Sequence, residues 1–166
     1  MHINIQASPS PDGLDHLRDP LLFAFYQNKL LVKTAENKIT IPTAISVESQ
    51  HLKLMRKRFI GIINGYPCFS AELAEDIQPD SLPENLSLIS LRPLYGSIAD
   101  ELFWAAGRAF QIMNWDRNHL FCSRCGSSNR NKSDEIAKVC PACGLLSYPS
   151  MSPAVIVAVV KDNQIL

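Results

Sequence analysis

From residue 21 to residue 91 the chain is built of short apolar runs separated by turn-forming residues, and after that the hydrophobic period lengthens from strand-like to helical. Leu21 to Tyr26 and Leu30 to Lys33 flank Gln27-Asn28-Lys29, which predicts a hairpin. Phe59 to Ile63 and Tyr66 to Phe69 flank Asn64-Gly65, a dipeptide that tolerates the two positive φ angles of a type I′ turn, so a second hairpin is predicted there. Pro67 has no backbone N–H to give to a neighbour, which places the second strand of that hairpin at a sheet edge. Residues 72–85 hold Glu72, Glu75, Asp76, Asp80 and Glu84 with Pro79 and Pro83 and no basic residue, the pattern of a loop or linker, and Leu86 to Leu91 reads as a short strand. Beyond Ser97, the residues Ile98, Leu102, Ala105, Ala109 and Met113 recur at three or four and predict a helix to about Asn118, with Ser97 and Asp100 as a capping pair. Trp104 and Trp115 fall on this helix, where an aromatic serves core or interface.

Both ends read differently. Residues 1–20, with Pro9, Pro11 and Pro20 and little periodicity, suggest a loose arm. Ala154 to Val160 is a valine- and isoleucine-rich run of the kind buried on both faces of a sheet, Lys161 to Gln164 reads as a turn, and Ile165-Leu166 begins a returning strand. A strand of that composition needs neighbours, so the expectation is a fragment of a longer protein.

Composition narrows the function classes. Hydrophobic residues make up 46% and charged residues 19%, and Lys+Arg 16 balances Asp+Glu 16, the profile of a soluble globular protein without the basic excess of a nucleic-acid binder. The cluster Lys53, Arg56, Lys57 and Arg58 reads as a solvated face. No apolar run approaches the roughly twenty residues needed to cross a membrane, and the first residues lack a secretory pattern, so a cytoplasmic location with reduced thiols is expected. Cys68, in Tyr66-Pro67-Cys68-Phe69, reads as a small buried hydrophobe.

The remaining cysteines carry the strongest chemical signal. Cys122, Cys125, Cys140 and Cys143 form two Cys-x-x-Cys pairs separated by residues 126–139. Each pair is followed by a glycine, Gly126 or Gly144, able to take the φ > 0 backbone of a tight knuckle. Four thiolates at about 2.3 Å close a tetrahedral site to water, so the prediction is one structural Zn2+ per chain in a zinc ribbon, with paired disulfides or unrelated buried thiols as the alternatives. Zinc loading adds about −2 to the formal charge of +0, offset locally by Arg124, Arg130, Lys132 and Lys138. His119 precedes the first pair by three residues, but four sulfurs already fill the site, so it reads as a helix-terminal histidine.

Taken in order, Gly107-Arg108-Ala109-Phe110-Gln111, Trp115, His119, Phe121-Cys122-Ser123-Arg124-Cys125-Gly126, Cys140-Pro141-Ala142-Cys143-Gly144, Tyr148-Pro149 and Pro153 to Val159 resemble the NADH pyrophosphatase branch of the Nudix hydrolases. The resemblance is close over residues 97–166 and holds in outline before that. It implies an α+β chain: an N-terminal antiparallel-sheet domain of Nudix-like α/β type over residues 1–96, a linking helix at 97–118, a zinc ribbon at 119–149 and the start of a Nudix hydrolase domain at 150–166. It further implies a homodimeric enzyme that cuts the pyrophosphate of NADH or NAD+ into nicotinamide mononucleotide and AMP, with NAD-capped RNA as a second substrate. Residue by residue it carries over three substrate contacts: Arg92 for a phosphate, Glu135 near the substrate and Tyr148 for a base. Read alone, these are a surface arginine, a solvated carboxylate and a core aromatic.

Pyrophosphate hydrolysis needs Mg2+ or Mn2+ held by several carboxylates, which Nudix enzymes place on a Gly-x5-Glu-x7-Arg-Glu-x2-Glu-Glu helix. No such run exists here, and beyond Cys143 the only carboxylate side chain is Asp162, so this chain alone is expected to be inactive and to hold no catalytic residue. A non-enzymatic zinc-ribbon module that binds nucleic acid or a protein partner is the alternative reading.

Overall fold

The computed structural model describes residues 5–6, 18–36, 38–150, 155–161 and 164–165. Strands β1 (Ile5–Gln6), β2 (Leu21–Tyr26), β3 (Lys29–Ala35) and β4 (Lys38–Thr40) precede the short helix α1 (Ala44–Glu48), whose first turn is capped by Thr43 Oγ1 accepting from the Ser46 N–H. Strands β5 (Leu54–Ile63), β6 (Tyr66–Leu73) and β7 (Leu86–Ser90) follow, then the single turn α2 (Leu91–Leu94) and the long helix α3 (Asp100–Asn118). Five two-residue strands follow: β8 (Arg130–Asn131), β9 (Lys138–Val139) and β10 (Leu146–Ser147) in one sheet, β11 (Val160–Lys161) and β12 (Gln164–Ile165) in another.

The main sheet runs β1-β5-β6-β2-β3-β4, with β7 along the free edge of β3, and every pairing is antiparallel except β2 with β6. It is a central layer. On one face Phe23, Phe25, Leu30, Val32, Ile60, Ile63 and Cys68 pack against Ala105, Ala106, Ala109, Ile112 and Met113 of α3. On the other, Leu22, Ala24, Leu31, Ala71 and Leu73 are covered by Ala44 and Val47 of α1. Because β2 has helices on both sides, all four of its inner residues are fully buried, which is why it reads as an unbroken apolar run. The alanines of α3 let the helix approach the sheet closely, and Ser70 Oγ donates to the Ala109 carbonyl at 3.0 Å across the contact.

The α+β class and both hairpins are present. Asn64 and Gly65 have φ of 51° and 77°, as a type I′ turn demands. Three expectations need correction. β6 is not an edge strand: it lies between β5 and β2. Pro67 is tolerated because, next to the two-residue turn, its nitrogen faces away from β5, and the ladder with β2 begins one residue later at Leu21↔Cys68. Ser97 does not cap α3; its Oγ donates to the Pro93 carbonyl, Ala99 stands at the N-cap, and Asp100 and Glu101 meet the positive helix end instead. Val155 to Val159 are exposed and not in a strand, since only Val160–Lys161 pairs, with Gln164–Ile165. Ala154 and most of the expected arm lie outside the described residues, although Ile5–Gln6 pairs with β5.

Cys68 is fully buried, as its apolar setting in the sequence suggested, and burial pushes its thiol up to about 12. A folded-state value above the unfolded 9.0 contributes stability that is complete below pH 9 and disappears as pH rises toward 12. In the native protein at pH 8, iodoacetamide is therefore expected to leave Cys68 unmodified, as read by mass spectrometry of peptides. Labelling as fast as in denaturant would contradict its burial.

Candidate functional site

Two matching turns build the cysteine cluster. The Gly126 N–H donates to the Cys122 carbonyl at 2.9 Å, and the Gly144 N–H to the Cys140 carbonyl at 2.9 Å. Cys122 N–H then reaches Ser127 O at 2.8 Å, and Cys140 N–H reaches Leu145 O at 2.9 Å. Gly126 and Gly144 close these knuckles with φ of 75° and 72°, a region in which a Cβ is strained. The pseudo-twofold arrangement brings all four Sγ atoms within 4.8 Å of one another, with Cys122 to Cys143 at 3.6 Å and Cys125 to Cys140 at 3.4 Å. A tetrahedron with 2.3 Å metal–sulfur bonds has edges of about 3.8 Å, so the donor set fits Zn2+ in both geometry and softness. All four thiols are unbridged. Backbone N–H groups of Arg124 and Cys125 pull the Cys122 thiol below its ordinary value, and the Ser127 hydroxyl and N–H bring Cys125 to about 6, favouring the thiolate at these two. Cys143, despite the Leu145 N–H, is pushed up to about 11 by burial and its three fellow sulfurs.

The ribbon is fastened to the end of α3. His119, at the helix C-cap, donates Nδ1–H to the Trp115 carbonyl at 2.8 Å, and Asn129 holds the His119 carbonyl through Nδ2 at 3.1 Å. His119 is thus a helix-terminal residue and not part of the sulfur cluster. Lys138 of β9 reaches across to the Asp116 carbonyl at 2.6 Å and to the Asp116 carboxylate at 3.4 Å. That carboxylate also faces Arg58 Nε at 2.9 Å, and Arg56 pairs with Glu72, which takes Arg117 as well. Strand, helix and ribbon meet at this buried charge cluster. Burial depresses both Arg58 and Lys138, with Asp116 pulling in the opposite direction. The solvated-face reading therefore holds for Lys53 and Lys57 and fails for Arg56 and Arg58, because alternation along β5 turns the two arginines inward under α3. Asp116 itself went unnoticed in the sequence, although it continues the Ala105, Ala109, Met113 face of α3, where a carboxylate signals a buried partner.

Two of the three residues carried over as substrate contacts touch each other. The Tyr148 hydroxyl donates to Glu135 Oε1 at 3.2 Å, and the same oxygen takes Lys132 Nζ at 2.7 Å. Partial burial and the Glu135 carboxylate raise Tyr148, keeping its phenol protonated. Tyr148 is half exposed, not a core aromatic, and forms one wall of a cleft of about 300 Å³ between Arg108, Gln111 and Ile112 of α3, Ile136 of the ribbon, and Ser150 just beyond it. A second cleft, about 270 Å³, lies on the other side of Glu135, against Lys57, Phe59, Phe69 and Lys132. Arg92 is exposed on α2 and lines neither cleft. Among the described residues, no helix is long and apolar enough to cross a membrane.

Residues 20–115 match the NADH pyrophosphatase-like rudimentary NUDIX domain, and residues 117–148 match the NADH pyrophosphatase zinc ribbon domain. The chain is 32% identical over 145 residues to the NAD-capped RNA hydrolase NudC of Deinococcus radiodurans, covering 87% of this chain and 47% of that protein. It is 36% identical over 115 residues to the NudC of Stutzerimonas stutzeri, covering 69% of this chain and 40% of the relative. The chain thus spans less than half the length of the curated relatives it matches. With a rudimentary Nudix sheet and a tetrathiolate ribbon in the same order and over the same residues, this chain belongs to the NADH pyrophosphatase family of Nudix proteins.

Proposed function

We propose that this chain is the N-terminal and zinc-ribbon part of a Nudix hydrolase that cleaves the pyrophosphate of NADH or NAD+, or the NAD cap of an RNA, to nicotinamide mononucleotide and AMP. The observation that carries the reading is the Tyr148–Glu135 pair, held at a cleft wall by the ribbon of a family whose relatives are named NAD-capped RNA hydrolases. In this reading residues 1–96 form the rudimentary Nudix domain, 97–118 the linking helix, 119–149 the ribbon, and 150–166 the start of the hydrolase domain. Zinc holds the platform and takes no part in the reaction, because a four-sulfur site has no open position for water or substrate.

On that platform the Tyr148 ring offers a flat face for a base, and Glu135 fixes its orientation through the hydroxyl. Glu135 has further acceptor capacity for a ribose hydroxyl, and Arg92 offers a bidentate fork to a phosphate. Mg2+ or Mn2+, when bound, would supply neutralisation of the phosphate oxygens and activation of the attacking water. In this reading the carboxylates for that step belong to the hydrolase domain, since these 166 residues hold no Gly-x5-Glu-x7-Arg-Glu-x2-Glu-Glu run. A cytoplasmic homodimer completes the proposal.

With NADH and either metal, the 166-residue chain is expected to release no AMP. Protein translated from a reading frame that continues through a Gly-x5-Glu-x7-Arg-Glu-x2-Glu-Glu helix is expected to release AMP and nicotinamide mononucleotide in equal amounts. Chromatography of the products decides it, and an extended protein that leaves both NAD+ and NADH intact would overturn the hydrolase reading in favour of a binding module.

A further inference from the structure

Arg108 sits at the middle of α3 and has no ion-pair partner among the described residues, and its Nε is shielded from solvent without a hydrogen-bond acceptor. Its neighbours differ. Arg56, Arg58, Arg117, Lys132 and Lys138 all stand within ion-pair distance of a carboxylate. A partly desolvated guanidinium whose Nε–H is unmet and which has no carboxylate beside it costs free energy unless something meets it, and an anion entering the cleft would do so. The cleft wall that Arg108 forms points the same way: among the described residues it is the only charged one lining the cleft, and no carboxylate lines it beside Arg108. The second cleft, beyond Glu135, is lined by Lys57, Arg58 and Lys132, each already facing Glu48, Asp116 or Glu135.

Size and lining narrow the ligand. About 300 Å³ is at the low end of the roughly 300–1,000 Å³ typical of small-molecule sites, which suits one mononucleotide half and not a whole dinucleotide. Ile112 and Ile136 supply apolar surface for a planar base, and the Tyr148 ring, tethered by its hydroxyl to Glu135, supplies a fixed stacking face. Gln111, one turn beyond Arg108 on the same helix, adds an amide that can both donate and accept. We infer that Arg108 is a further substrate-binding residue, whose guanidinium takes the phosphate of a nucleoside monophosphate unit while its base lies between Tyr148 and the two isoleucines. The inference rests on the reading that this face of the ribbon receives a dinucleotide, and it adds the anion-binding group of that site.

The test uses the zinc-loaded 166-residue chain and calorimetric titration with AMP and nicotinamide mononucleotide, each against its phosphate-free nucleoside. The wild type is expected to bind at least one monophosphate about ten- to a hundredfold more tightly than the nucleoside, the range of a charge-assisted hydrogen bond. Arg108→Gln should erase that preference and leave nucleoside affinity unchanged, whereas Tyr148→Ala should weaken nucleotide and nucleoside together. Arg108→Lys keeps the charge without the fork and should retain part of the preference, which keeps the test decisive should the glutamine variant fail to fold. A preference for the monophosphate that persists in Arg108→Gln sinks the role of Arg108 and leaves the hydrolase reading standing. No binding of either monophosphate sinks this inference, and only the added failure of the extended protein to cleave NAD+ and NADH sinks the hydrolase reading too.

Discussion

Stripping zinc with a chelator is expected to unfold the ribbon while the seven-stranded sheet stays folded. The ribbon cannot stand on its own packing. Its three strands have two residues each, and its buried side chains are Cys122, Ala137, Lys138 and Cys140, of which Lys138 points to Asp116 of the helix. So small a unit depends on its metal, and structural zinc contributes on the order of 10–16 kcal/mol to folding in comparable modules. The sheet domain is differently placed: it has two apolar clusters of its own, on opposite faces, and neither includes a cysteine of the ribbon. Hydrogen exchange should therefore show amides such as those of Gly126, Cys140 and Gly144 losing protection after chelation, while Phe23, Leu31 and Val32 keep theirs. Cys140→Ser should reproduce the pattern with no chelator added. Because Glu135, Ile136 and Tyr148 are positioned by the ribbon, the cleft against Arg108 should vanish with the metal, and nucleotide binding with it. Unchanged protection in the ribbon after complete metal removal would contradict a structural role for zinc.

The parts of this arrangement legible in the sequence are those in which the deciding residues are neighbours along the chain. A Cys-x-x-Cys-Gly knuckle contains its own ligands, its own turn and its own positive-φ glycine, so nothing distant alters it. Asn64-Gly65 is legible for the same reason. Pro67 misled because the rule for proline in a strand concerns which neighbour needs its N–H, and that neighbour, β2, comes from far earlier in the chain and begins pairing just past the proline. Arg56 and Arg58 misled in a related way: a run of charges looks solvated when the carboxylates that receive them lie on another element. α1 and β4 escaped notice because three to five residues are too few to establish a period, and what fixes α1 is a single Thr43 cap plus contact with β2. The Ala154 to Val160 run shows composition without partners. Its valines and isoleucine suit a buried strand, yet residues 155–159 are exposed here, since a strand exists only where another backbone pairs with it. Glu135 and Tyr148, separated by the whole second knuckle, became recognisable as a pair only after the ribbon had folded them together.

Asp116→Asn is expected to destabilise the protein by about 3–5 kcal/mol, the range for breaking a buried ion pair from one side. The change preserves shape and removes charge. It leaves Arg58 and Lys138 facing an amide at the point where β5, α3 and β9 meet, both cations being already depressed by burial and supported chiefly by this carboxylate. The Lys138–Asp116 carbonyl hydrogen bond survives the substitution, so the loss isolates the charge. The pH dependence has a definite sign. A lysine held below its unfolded value of 10.5 releases its proton more readily in the folded state, so the penalty for a charged Lys138 is full at neutral pH and relaxes as pH climbs toward 10.5. Urea denaturation followed by Trp115 fluorescence, at pH 7 and again near pH 9.5, should show the deficit of Asp116→Asn shrinking at the higher pH. Adding Lys138→Met should recover part of the loss by removing one orphaned charge, a coupling that a double-mutant cycle measures directly. A deficit below about 1 kcal/mol that ignores pH would mean the cluster is solvated, and that the ribbon is held on the helix by its backbone hydrogen bonds and zinc alone.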